Sequence, residues 1–154
     1  VYKIELRING VQVITEVRGR DRLIDLLRKV GMMSVKEGCS TGDCGSCNVL
    51  VDGELVNSCL MLAVQARGSD ITTLEGLGTE DKPHRLQLAF VEFAASQCGY
   101  CIPGIIITAK YLLDKHPKPS EEEIRRMLTA NICRCGGYTR IVEAIKTAMA
   151  GGDG

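Results

Sequence analysis

The chain has 154 residues, and its 19 Lys and Arg balance 19 Asp and Glu. A formal charge of zero leaves no basic surface to draw in nucleic acid or anionic lipid, and no apolar run approaches the roughly 18 residues of a membrane-spanning helix. Eight cysteines in so short a chain point to a structure held by more than its hydrophobic core.

The first elements read as a hairpin. Tyr2 to Ile8 and Gln12 to Val17 are β-type runs flanking Asn9-Gly10, a pair that tolerates positive φ at both positions. Val1 to Leu6 has no basic lead, apolar region and cleavage site, so no signal peptide is expected. Leu23, Ile24, Leu26, Leu27 and Val30 then recur at helical spacing, with Asp21 as the expected N-cap and Gly31 as the stop. Glu37 to Cys47 is rich in Gly, Ser, Thr and Cys and reads as an irregular loop. A second hairpin follows, Val49 to Val51 and Glu54 to Val56 about Asp52-Gly53, and Ile71 to Leu74 is a last β-type run.

Glu75 to Pro83 is polar, as domain connections are, which divides the chain into residues 1–76 and 77–154. Four helical patterns follow: Arg85 to Ser96, Pro103 to Lys115, Ser120 to Ala130 and Thr139 to Ala150. Pro83 and Pro103 suit a first helical turn, Ser120 with Glu123 makes a capping box, and Thr139 is an expected cap. The class is α+β, a mixed sheet with one helix followed by an all-α half. The closing stretch from Gly151 to Gly154 is expected to fray.

Disulfides suit secreted, helix-poor scaffolds, whereas here the cysteines bunch in tight groups that gather thiolates round a shared centre. Cys39, Cys44 and Cys47 form C-x4-C-x2-C, with Cys59 beyond the second hairpin. This is the plant-type [2Fe–2S] spacing: one glycine-rich loop wraps three thiolates round a cluster and a hairpin delivers the fourth. Gly38, Gly42 and Gly45 allow the turns and let N–H groups approach anionic sulfur. Zinc competes less well, since it usually takes two short ligand pairs. Cys98, Cys101, Cys133 and Cys135 form C-x2-C and C-x-C on two helix-joining loops. On spacing alone these four thiolates suit either zinc or a cluster.

Three runs carry a resemblance: Glu37 to Cys47 (EGCSTGDCGSC), Gln97 to Gly104 (QCGYCIPG) and Asn131 to Tyr138 (NICRCGGY). Together they resemble the two-cluster iron–sulfur component of the xanthine oxidase family of molybdenum hydroxylases, over nearly the whole chain. Two departures are visible, Gly136 where the family commonly has Thr, and Ser46-Cys47-Asn48 where it commonly has Ala-Cys-Thr. The resemblance implies a β-grasp ferredoxin-like domain followed by a four-helix domain, each holding one [2Fe–2S] cluster. It further implies a molybdopterin-binding large subunit, together with an FAD-binding medium subunit, with electrons passing from the molybdopterin centre to FAD during oxidation of a small organic substrate. Cys98, Cys101, Cys133 and Cys135 would hold the cluster nearer the pterin, and Cys39, Cys44, Cys47 and Cys59 the one nearer the flavin. Gln97 and the Cys135 region would contact the pterin. A free-standing two-cluster ferredoxin is the alternative, and a zinc-stabilised interaction module a third reading.

No nucleophile–base constellation or phosphate loop stands out, so this chain is expected to supply no catalytic residue. His84 and His116, each beside a proline, read as solvated loop histidines, and Met32 and Met33 as packing residues. Arg134 stays open between a surface role and steering of charge or a partner. Glu121 to Glu123 suit a helix start. Thiolate-held clusters persist best in a reducing compartment, so the cytoplasm is expected.

Overall fold

The computed structural model describes residues 1–151, so Gly152 to Gly154 of the glycine-rich end lie outside it. Strands β1 (Tyr2–Ile8) and β2 (Val11–Val17) pair antiparallel about Asn9 and Gly10, which take φ of 50° and 82°. Strands β3 (Asn48–Val51) and β4 (Glu54–Asn57) repeat the device, with Asp52 and Gly53 at 51° and 81°. Two left-handed residues give the tight turn whose twist matches the strands it joins. Strand β5 (Asp70–Thr72) runs parallel to β1 and antiparallel to β3, giving the mixed order β2-β1-β5-β3-β4. Helix α1 (Leu23–Lys29) buries Leu23, Ile24, Leu26 and Leu27 in one core with Ile4, Leu6, Ile8, Val49 and Ile71. Each such side chain contributes about 2 kcal/mol by leaving water. This half is a β-grasp.

Among the described residues the second half has four α-helices, α2 (Arg85–Glu92), α3 (Ile102–Lys115), α4 (Glu121–Met127) and α5 (Tyr138–Ala150). Leu86, Phe90, Ile105, Ile124, Ile141 and Ile145 fill its core. Ser120 and Glu123 cap α4 reciprocally at 3.2 and 2.7 Å, as the S-x-x-E spacing requires.

Several boundaries differ from the sequence reading. Asp21 accepts the Arg18 N–H, and the N-cap of α1 is Arg22, whose N–H is accepted by Asp25. In the second half the starts at Arg85 and Ser120 and the stops at Lys115 and Ala150 agree with the sequence reading, while other ends differ. Helix α2 ends at Glu92, four residues short of Ser96, because Ala94 turns left-handed at φ 46°, with Ala94 N–H donating to Val91 O and Ala95 N–H to Phe90 O. That is a Schellman ending, with alanine where glycine is usual. Helix α5 begins behind Gly137, so Thr139 lies inside it, and α4 closes in a 3-10 turn, Leu128–Ala130. His84 caps α2 through Nδ1, 3.2 Å from the Leu86 nitrogen, and is partly buried rather than free in a loop. His116 is exposed and lies 3.5 Å from Glu123.

The polar connection is tied down at its start. Asn9 accepts the Thr73 N–H and donates to the Thr73 hydroxyl and to Met32 Sδ, while Glu75 accepts from the Ser34 N–H at 3.0 Å and from its hydroxyl. Leu74 and Leu77 pack on the helical core. Strands β3 and β4 lie against α3, where Asn48 Nδ2 of β3 donates to Thr108 Oγ1 at 3.0 Å and Glu54 of β4 pairs with Lys115 at 2.6 Å.

Candidate metal centres

The loop from Glu37 to Cys47 turns on three left-handed residues, Ser40, Gly42 and Gly45. Its N–H groups point at sulfur: Thr41, Asp43 and Cys44 donate to Cys39 Sγ at 3.3–3.4 Å, and Cys39 donates to Cys44 Sγ at 3.4 Å. A Cβ at Gly38 would strike Cys44 Sγ, and one at Gly42 the Leu60 side chain. Cys47 and Cys59 are buried side by side at the inner edge, at 2% and 5% exposure. Ser58 steadies that edge by donating to the Cys47 carbonyl at 2.7 Å.

The second group sits at the loops expected from the sequence. Cys101 opens α3 and is buried beside the partly buried Cys133, whereas Cys98 and Cys135 are exposed. Tyr138 braces Cys133: its hydroxyl accepts the Cys133 N–H at 2.7 Å and donates to the Asn131 carbonyl at 3.2 Å. Gln97 is exposed and donates to the Cys135 carbonyl at 3.4 Å, so the two residues implied to face a pterin are neighbours. Gly136 takes φ 75°, in the left-handed region that favours glycine. Arg134 is exposed.

The thiols differ by environment. The Thr41 side chain and the N–H groups of Thr41, Cys44 and Asp43 hold Cys39 down to about 6. Burial, then the neighbouring Cys47 thiol, pushes Cys59 up to about 11, and burial with Cys133 pushes Cys101 up to about 12. Burial opposes ionisation of Cys133, but the N–H of Gly137, the Cys101 thiol and the N–H groups of Gly136 and Cys135 outweigh it and lower its value. Each group thus offers N–H donors to anionic sulfur together with a buried thiol that ionises readily only beside a cation.

All eight cysteines are free thiols. Among the described residues no three His, Cys, Asp or Glu groups converge tightly enough for one metal ion. Thiols paired as Cys47 with Cys59 and Cys101 with Cys133 fit a two-iron unit gripped from both ends, and the chemistry of the donor set agrees.

The two centres meet at a close backbone junction. The Cys44 carbonyl accepts the Ile132 N–H at 2.9 Å, one residue before Cys133. Asn131, 2% exposed, donates from Nδ2 to the Gly45 carbonyl at 3.2 Å, while its Oδ1 is buried without a partner. A Cβ on Gly104 would collide with the Gly45 carbonyl, and one on Gly45 with that of Ala130. Sequence reading assigned no such role to Asn48, Thr108, Asn131 or Tyr138; those of Asn48, Thr108 and Asn131 arise from contacts across the fold, and that of Tyr138 from bonds to its own loop.

Comparison with known proteins agrees with this geometry. Residues 6–72 match the 2Fe-2S iron-sulfur cluster binding domain, and residues 73–146 match the [2Fe-2S] binding domain. The chain is 50% identical to the nicotinate dehydrogenase small FeS subunit of Eubacterium barkeri, over 95% of this chain and 94% of that one. It is 44% identical to a component of the nicotinate dehydrogenase of Pseudomonas putida, over 94% and 93%. Among solved structures, a chain of quinoline 2-oxidoreductase from Pseudomonas putida 86 superposes with TM-score 0.93 at 43% identity, covering 97% of this chain and 94% of that one. Two cluster-binding domains and full-length likeness to small iron–sulfur subunits place this chain in the xanthine oxidase family of molybdenum hydroxylases, as the electron-transfer subunit with two [2Fe–2S] clusters.

Proposed function

We propose that this chain relays electrons between a molybdopterin-binding large subunit, on one side, and an FAD-binding medium subunit on the other. In this reading Cys98, Cys101, Cys133 and Cys135 hold one cluster and Cys39, Cys44, Cys47 and Cys59 the other. Each cluster, when bound, stores one electron at a time. The observation that carries this reading is the 2.9 Å hydrogen bond from Ile132 N–H to the Cys44 carbonyl, which links the backbone beside one thiol group to the backbone of the other. Only that bond and a few covalent bonds separate Cys44 from Cys133.

The ends of the path are open to partners. Cys98, Cys135 and Gln97 are exposed on the helical half, and Gln97 with the Cys135 carbonyl offers polar groups to a pterin. Ser40 and Thr41, beside Cys39, and Leu60, beside Cys59, are exposed, and we assign this surface to the flavin partner. We take residues 1–76 and 77–154 as the two domains, supported by two separate clusters of buried side chains. Relatives that serve nicotinate dehydrogenases suggest a small N-heteroaromatic substrate for the complex. No helix among the described residues is long and apolar enough to cross a membrane, and a reducing cytoplasm is the setting we propose.

Native purification tests the assembly. The untagged chain should leave its source with a large and a medium subunit bearing molybdopterin and FAD. Isolation alone, with both clusters intact, would favour a free-standing ferredoxin instead.

A further inference from the structure

Arg22 belongs to no cysteine motif, yet it is fixed against the first thiol group from two sides. Its backbone bridges Leu62, three residues from Cys59. Its neighbours hold the same segment, Leu23 N–H donating to Met61 O at 2.7 Å and Asp21 O accepting from Ala63 N–H at 2.8 Å. The guanidinium forks onto Asp25 at 2.9 and 2.8 Å, meets Glu37 at 2.8 Å and reaches the Ser40 hydroxyl at 3.3 Å. Glu37 and Ser40 flank Cys39 and bond each other at 2.6 Å. With its side chain only 30% exposed, the cation is held at one place rather than sampling solvent.

We propose that Arg22 is a positioning residue that sets the reduction potential of the cluster assigned to Cys39, Cys44, Cys47 and Cys59, by holding a fixed positive charge against the Cys39 loop. This rests on that ligand assignment. Reduction adds one electron from the donor, converts one ferric iron to ferrous and makes the cluster more negative by one unit, with no proton taken up. A nearby cation stabilises the more negative form and a nearby carboxylate opposes it. Arg22 and Glu37 therefore act in opposite directions on one cluster, and their side chains touch. Arginine suits the post because its planar fork satisfies Asp25 and Glu37 together and still leaves NH1 for Ser40.

The test is a potentiometric titration of the cluster-loaded full chain, following the paramagnetic signal of each reduced cluster. R22Q should move the signal of the first cluster to a more negative potential, E37Q should move it to a more positive one, and R22Q/E37Q should return it towards the starting value. R22K should restore most of the R22Q shift. Through all of these the helical-domain signal should hold still, with iron and sulfide content unchanged. An unmoved first signal, equal movement of both signals, or R22Q and E37Q shifts of the same sign would overturn the proposal. Should R22Q fail to keep its cluster, E37Q alone decides: an unmoved or more negative potential refutes the charge effect. Cys39→Ser should abolish or alter the titrating signal, and a signal untouched by that change would refute the ligand assignment instead.

Discussion

Asn48 and Thr108 meet at 3.0 Å in the buried seam between strand β3 and helix α3, 60 residues apart in sequence. Asn48 is 4% exposed and Thr108 fully buried; Asn48 Oδ1 accepts from Asn57 at 2.6 Å, and the Thr108 hydroxyl donates to the Gly104 carbonyl at 2.9 Å. Thr108→Val leaves the Asn48 amide unpaired and should cost about 1–3 kcal/mol. Chemical denaturation of the apo chain checks this, with a lower midpoint at unchanged slope as the expected result.

Gly104 lies against the Gly45 carbonyl, so Gly104→Ala forces the halves apart at the point where the two centres approach. The overpacking should cost about 1–3 kcal/mol. Spin–spin interaction between the two reduced clusters should weaken in the same variant, a change that simple loss of stability would not produce.

Ala94 carries a left-handed φ of 46° at the end of α2, three residues before Gln97. Ala94→Gly removes about 1–2 kcal/mol of backbone strain and gives back roughly half of that in unfolded-state entropy. Thermal unfolding should show a small net stabilisation, and a loss of stability would refute the strain.

Glu75 supplies a pH dependence. Burial opposes its ionisation, but the Ser34 hydroxyl and N–H, its own N–H and Thr73 outweigh this and hold it below its ordinary 4.5. A depressed folded-state value means that the contribution is fully present above about pH 4.5 and is lost as pH falls through the folded value. Stability of the apo protein measured from pH 6 down to about 3 should therefore fall less steeply in Glu75→Gln than in the unaltered chain.

Legibility in the sequence followed the range of the interactions. Asn9-Gly10, Asp52-Gly53 and the Ser120–Glu123 box were readable because each signal closes within four residues. The early end of α2 was not, since nothing local marks Ala94 as left-handed. His84 looked like a loop residue because histidine is an uncommon cap, and Arg22 displaced Asp21 because its guanidinium finds Asp25 and Glu37 at once. The cysteine spacings point to two thiol groups, while the junction between them does not show in the sequence, since Asn131 and Gly45 stand 86 residues apart. That contact exists only once both halves have folded.

The order of the relay is tested most directly by rapid-reaction measurements on the assembled enzyme, following each cluster signal and the flavin after substrate is added. In Cys47→Ser, whose altered residue is buried beside Cys59 in the first half, the helical-domain cluster should still be reduced while flavin stays oxidised. In Cys135→Ser both the first-half cluster and the flavin should stay oxidised. Flavin reduced at the normal rate in a variant that has demonstrably lost the helical-domain cluster would contradict the relay.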